Sequence, residues 1–217
     1  TVTVTTTPAG LATNVTYDGS ASAPAAAGTY TVAAAITDSN YSGSASGTLT
    51  IGKATATVAL GSLSQTYDGT TRAVTVITTP AGLATSVTYA GSTTPPTNAG
   101  SYAVGATITD SNYTGTANGT LTIAKASQTV NFTAPGSATV GVPLTLSASA
   151  TSGLPVAFSV VSGSATIAGS TLTLTGAGSV TVRATQAGND NYLVATAEQV
   201  TTAAGKLAQT IAFAPLS

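Results

Sequence analysis

Residues 2–54 recur at 74–126 with a constant offset of 72 and no gap, and 37 of the 53 paired positions are identical. Pro8-Ala9-Gly10-Leu11-Ala12-Thr13 returns as Pro80-Ala81-Gly82-Leu83-Ala84-Thr85, and Ile36-Thr37-Asp38-Ser39-Asn40-Tyr41 returns as Ile108-Thr109-Asp110-Ser111-Asn112-Tyr113. A gapless repeat of this kind marks a tandem array, in which one supersecondary unit is copied to make length. Near the end, Lys206-Leu207-Ala208-Gln209-Thr210-Ile211-Ala212-Phe213 echoes Lys125-Ala126-Ser127-Gln128-Thr129-Val130-Asn131-Phe132. The pattern is that of a window on a longer repetitive protein, richer in information about architecture than about chemistry.

Composition narrows the classes. Only 5% of residues are charged, against about 25% in ordinary globular proteins, while 42% are apolar. That combination is the opposite of charge-driven disorder. Thr and Ser supply the polar surface, and a net charge of −1 gives little resistance to lateral association. There is no basic patch, so no nucleic-acid partner is expected. Cys and His are both absent, which removes disulfides, thiolate metal sites and the commonest general base. No apolar run approaches the ~18 residues of a membrane-spanning helix, so no membrane span is expected in this stretch.

Val2-Thr3-Val4, Val74-Thr75-Val76, Thr122-Ile123, Leu144-Thr145-Leu146, Thr171-Leu172-Thr173-Leu174 and Val180-Thr181-Val182 alternate apolar with hydroxyl residues. Period-two alternation of β-branched residues predicts half-buried antiparallel strands. Turn clusters separate them at spacings of roughly 8–12 residues, as in a β-sandwich. Ala33-Ala34-Ala35 has helical propensity but falls in the alternating phase of Tyr30, Val32, Ala34 and Ile36, and is read as strand. The expected fold is all-β, a tandem array of small Ig-like antiparallel β-sandwich modules. Lys53, Lys125 and Lys206 each follow an inferred last strand. They divide the chain into a partial module at 1–52, complete modules at 53–124 and 125–205, and the first strand of a further one at 206–217. The partial module lacks the counterpart of Lys53–Arg72, so its opening strands are expected from a preceding stretch of the parent chain or from a neighbouring subunit.

The first two units resemble the MBG (mostly-beta, glycine-rich) module of bacterial surface proteins, through Tyr67-Asp68-Gly69-Thr70, Ala99-Gly100-Ser101-Tyr102, Asp110-Ser111-Asn112-Tyr113 and Gly119-Thr120-Leu121-Thr122-Ile123-Ala124-Lys125. The third is similar to a bacterial immunoglobulin-like repeat, through Ser152-Gly153-Leu154-Pro155-Val156, Ser162-Gly163-Ser164-Ala165-Thr166-Ile167 and Gly176-Ala177-Gly178-Ser179-Val180-Thr181-Val182. These resemblances imply large secreted or cell-surface proteins in which such modules build stalks, adhesin shafts or fibres. They supply no catalytic residues.

Each candidate site competes with a plainer reading. The six acids are Asp18, Asp38, Asp68, Asp110, Asp190 and Glu198, and five sit in turns where Asp caps its own backbone rather than pairing for acid–base chemistry. Asn189-Asp190-Asn191 and Asp38-Ser39-Asn40 offer too few carboxylates for a calcium site. No catalytic, cofactor or metal residue is therefore assigned, no cofactor is expected, and the chain is read as a non-enzyme. Tyr30 and Tyr102 share phase with Val32 and Val104 and are expected in the core. Tyr41, Tyr113 and Tyr192 follow turns and are expected to pack over sandwich ends. Sequons at Asn14, Asn40, Asn112, Asn118 and Asn131 are close to what a Ser/Thr-rich chain carries by chance. The recurrent lysines raise an isopeptide cross-link, against which stands a solvated charge that punctuates the array and discourages edge pairing.

The resulting expectation is a structural segment, a stalk or fibre shaft, of a secreted or cell-surface bacterial protein. The alternative is an adhesin module engaging glycan or protein through its loops. Expected partners are other copies of the chain, laterally or end to end in a fibre, and on the alternative reading a glycan or host-surface ligand.

Overall fold

The computed structural model describes residues 2–204 together with Ile211 and Ala212. The expected strand at 206–217 thus lies largely outside the described residues. Within them the chain is all-β, without a helix. It divides into two compact units, and the division runs through the second repeat copy.

In the first copy the strands Thr13–Tyr17, Gly28–Ile36 and Ser44–Ile51 form one antiparallel sheet with the long strand in the middle. Alternation sets its register. Tyr17 faces Val32, Tyr30 faces Leu49, and Val32 and Ala34 point to the buried side while Thr31, Ala33 and Ala35 point to water. The connection out of the first strand begins with a tight turn, Tyr17-Asp18-Gly19-Ser20, in which Tyr17 and Ser20 exchange both main-chain bonds and φ is 46° at Asp18 and 83° at Gly19. Two positive φ values in a two-residue loop define the mirror-image turn that matches strand twist.

The second copy repeats these three strands as Thr85–Tyr89, Gly100–Ile108 and Thr116–Ala124, with Tyr89 opposite Val104. It also has three pairings without a counterpart in the first. Ser64–Thr66 runs parallel to Thr122–Ala124. Thr57–Gly61 pairs antiparallel with Thr75–Thr79. Ala54–Thr55 runs parallel to Tyr113–Thr114. These additions complete the burial: Leu121 is fully covered and Ile123 nearly so, whereas their counterparts Leu49 and Ile51 are only half-buried.

Two expectations need correction here. Val2-Thr3-Val4 is not strand, because its counterpart region pairs with Thr57–Gly61 and no described segment occupies that place beside the first copy. Tyr30 and Tyr102 are half-buried rather than core residues. The Tyr30 hydroxyl donates to the Ala26 carbonyl at 2.9 Å, which holds the ring's polar end at the surface.

The third segment packs a four-stranded sheet (Ser137–Ala138, Ala195–Ala203, Ser179–Gln186, Ala157–Ser162) over a three-stranded one (Pro143–Thr145, Thr171–Leu174, Ala165–Ala168). Val180, Val182 and Ala184 of the first meet Leu172 and Leu174 of the second in one core, with Val130, Phe132 and Leu146 closing it. Phe132 and Phe158 lie with ring centroids 5.4 Å apart. The buried phase of Ser179–Gln186 matches that of Gly100–Ile108.

Candidate functional site: the joints between repeats

Beyond its many hydroxyls, a chain of this composition offers main-chain amides and carbonyls, carboxamides, six carboxylates and a few lysines and arginines as its polar instruments. Several of them converge where one repeat follows another, and they do so twice in the same way. Asp110-Ser111-Asn112-Tyr113 folds as an Asx turn in which Asp110 Oδ1 accepts from the N–H of Asn112 at 2.7 Å and of Tyr113 at 3.2 Å. Asn189-Asp190-Asn191-Tyr192 folds alike, Asn189 Oδ1 accepting from Asn191 at 2.8 Å and Tyr192 at 2.9 Å. Short side-chain acceptors capture nearby amides in this way without outside help.

Each turn is then tied to the strand that opens its own repeat. The Asn112 carbonyl accepts from Ala54 N–H and the Asn191 carbonyl from Ala126 N–H, both at 2.8 Å. The lysine beside that alanine reaches the first carbonyl of the turn: Lys53 Nζ donates to Asp110 O and Lys125 Nζ to Asn189 O, both at 2.7 Å. The Asn side chain is left facing the previous repeat. Asn112 Oδ1 accepts from the N–H of Ala27, and Asn191 Oδ1 from the N–H of Ala99, again both at 2.8 Å. Ala27 and Ala99 are equivalent positions of the repeat. In the second joint Asn191 Nδ2 also donates to Asn98 Oδ1 at 3.1 Å, where the first joint has Ala26.

The recurrent lysines Lys53 and Lys125 are exposed, as a solvated charge would be, and each is in addition bonded to its turn. An ammonium held against a turn carbonyl makes a charge-assisted bond that fixes the turn to the first strand. The atom facing each ammonium is a main-chain carbonyl oxygen. Lys206 lies outside the described residues. The acids also sort differently from expectation in two places. Asp18 Oδ1 accepts from Thr31 N–H across the sheet at 2.7 Å, and in the Asn189–Tyr192 turn the capping atom belongs to Asn189 rather than Asp190. Asp38 and Asp68 do cap their own turns, at 2.7 Å from Asn40 N–H and 2.9 Å from Thr70 N–H. The Thr70 hydroxyl and amide, aided by Arg72, hold the Asp68 carboxyl below its ordinary value.

The aromatic positions follow the joints. Tyr192 is half-buried and meets Tyr67 edge-on, with centroids 5.4 Å apart. Tyr113 is half-buried too, while Tyr41, in the first copy's Asp38-Ser39-Asn40-Tyr41 turn, stands 47% exposed. Beside the second joint is a polar cluster that sequence reasoning missed. Buried Gln128 donates to Gln186 Oε1 and to the Leu193 carbonyl, and Gln186 Oε1 accepts from Gly188 N–H. The echo of Lys125–Thr129 in Lys206–Thr210 was the signal that this glutamine has a fixed task. Among the described residues no three His, Cys, Asp or Glu side chains gather around a common point.

The family model of the MBG domain matches residues 1–55 and 56–127. The chain belongs to the MBG domain family. The first joint, Ala27 to Asn112, accordingly links two MBG domains in tandem, and MBG repeats of this kind fit a large surface or secreted protein. No curated protein matches the chain. Among solved structures it is similar to immunoglobulin domains 1–4 of Sidekick-1, with 14% identity over 90% of this chain and 68% of that one. The TM-score is 0.29, a likeness too slight to add to what the sheets themselves show.

Proposed function

We propose that this chain is a structural spacer, a stretch of stalk or fibre shaft in a large secreted or cell-surface bacterial protein. In this reading its modules run 1–52, 53–124 and 125–205, with a further one opening at 206. The third is a bacterial immunoglobulin-like repeat. The observation that carries the proposal is the twofold recurrence of one joint. An array needed only to supply independent binding domains has no use for the same lysine, carbonyl and carboxamide arrangement at successive junctions. A spacer does, because fixing each module on the next keeps its end-to-end length under control.

The test uses the absence of native cysteine. Spin labels on Thr29→Cys and Ser86→Cys, both exposed, report the distance across the first joint. A narrow distance distribution that broadens on Asn112→Ala, with the fold intact by circular dichroism, supports a geometry-setting joint. A distribution already broad in the parent, or untouched by the substitution, overturns it. The adhesin alternative is favoured instead if Asn112→Ala leaves geometry unchanged and the chain binds a glycan array through its loops.

A further inference from the structure

We propose that the residue at position 98 of the second copy, and at the equivalent position 26 of the first, sets how tightly each joint is held: asparagine there locks the joint, and alanine leaves it free to turn. This deepens the spacer reading and rests on it, naming the side chain by which stiffness is graded from one junction to the next.

The two joints share one arrangement and differ at one equivalent position. In both, the carboxamide of the turn accepts from a main-chain N–H of the preceding repeat at 2.8 Å. A main-chain amide can only donate, so it decides which end of the carboxamide faces it. Oδ1 lies against Ala27 or Ala99, and Nδ2 is left with its protons to give. At the second joint that Nδ2 donates to Asn98 Oδ1 at 3.1 Å. At the first, the equivalent residue is Ala26, and among the described residues Asn112 Nδ2 has no acceptor.

A single hydrogen bond leaves rotation about its own axis nearly unopposed. A planar group held at two atoms has lost that rotation, which is why two-point contacts fix orientation as well as distance. Asn191 is held at both ends of its carboxamide and Asn112 at one. The surroundings suit a tuning role. Ala26 and Asn98 are both exposed, so either side chain is accommodated without repacking. The main chain at position 26 is already tied down, since the Tyr30 hydroxyl donates to the Ala26 carbonyl at 2.9 Å. The edge-on contact of Tyr192 with Tyr67 also holds the second joint, so losing the Asn98 bond loosens it without parting it. One neutral hydrogen bond shifts an equilibrium by about two- to tenfold, enough to change how often a joint swings and too little to unfold a repeat.

The experiment reads each joint in the full chain. For the second, spin labels on Ser86→Cys and Ser159→Cys, both exposed, report the spread of distances across it, and NMR follows hydrogen exchange of the Ala99 amide. Asn98→Ala is expected to broaden the distribution and lower Ala99 protection by about two- to tenfold, with circular dichroism and melting unchanged. Asn98→Asp keeps an acceptor for Asn191 Nδ2 and should keep the parent's values. The reverse change, Ala26→Asn, should narrow the distribution between labels on Thr29→Cys and Ser86→Cys and raise Ala27 protection by the same factor, a gain that a merely structural asparagine would not bring. Failure of Ala26→Asn to tighten the first joint overturns the proposal. Broadening on Asn191→Ala but not on Asn98→Ala also overturns it, and leaves the spacer reading standing. A distribution broad in the parent and indifferent to Asn191→Ala tells against the spacer reading instead. Ala99 protection then decides the proposal alone: lowered by Asn98→Ala it stands, unchanged it falls.

Discussion

Ala90 occupies a φ of 47° at the place where the first copy has Asp18 at 46°, and only the aspartate suits it. A β-carbon in the left-handed region costs about 1 kcal/mol, and Asn or Asp recovers part of this by local hydrogen bonding. Asp18 does so with Thr31 N–H. Ala90→Asp should therefore raise the melting temperature of the second copy by about 3–6 °C, measured by calorimetry. A fall would mean that this turn does not limit the stability of the second copy. Asp68 gives the pH counterpart. Its folded carboxyl titrates below the ordinary value because the Thr70 hydroxyl and amide bind its charged form, with Arg72 adding to them. The stabilisation it provides is thus complete above the unfolded pKa of about 3.9 and is lost as pH falls through the lower folded value. Thr70→Ala should move the Asp68 titration, followed by NMR, upward toward the ordinary value; an unmoved titration would contradict the assignment of cause. Much at this scale was legible, since an Asp two residues before a turn amide declares its own bond. What Lys53 does was not. Its partner carbonyl lies 57 positions away and only the folded turn brings it near.

Strands were the most legible elements, because a period of two constrains every residue in the run. Val104 and Ile108 are buried and Ala103 and Thr107 exposed, as alternation requires. Val2–Val4 has the alternation of a strand but pairs with no neighbour among the described residues, and a strand is a property of two segments. The parallel pair Ala54–Thr55 with Tyr113–Thr114 was invisible for the converse reason: two residues are too short to show a period. That pair nevertheless imposes a sharp constraint. A Cβ on Gly115 would overlap the Ala56 carbonyl oxygen and crowd Ile108, whereas one on the equivalent Gly43 meets only the movable end of Ile36. Gly115→Ala is expected to cost about 2–4 kcal/mol, through loss of the pairing and of the fit around Ile108. Gly43→Ala should cost under about 1 kcal/mol. Denaturant melts of the two variants compare them directly, and equal costs would argue against the short parallel pair.

At the scale of the whole molecule the scarcity of charge sets the behaviour. The described ion pairs, Arg72 with Asp68 and Arg183 with Glu198, are partly or largely exposed, and there is no histidine to titrate near neutrality. Such pairs contribute little and are screened by salt. Melting temperature should accordingly change by less than about 2 °C between low and high sodium chloride; a larger fall with salt would reveal electrostatic joints. Tandem organisation was written in the 72-residue offset, but the joints were not, since each joins residues more than eighty positions apart. In the second copy Ser64–Thr66 and Thr122–Ala124, and in the third segment Ser137–Ala138 and Ala203 with its neighbour Thr202, are parallel pairs joining an early strand to a late one. Tension applied through the two ends of the polypeptide pulls the members of such a pair in opposite directions along their length. Their hydrogen bonds are then loaded together in shear, rather than one after another as in unzipping. A chain built this way resists stretching at the rate at which whole clusters rupture, so its mechanical lifetime is governed by the unfolding barrier and not by its equilibrium stability.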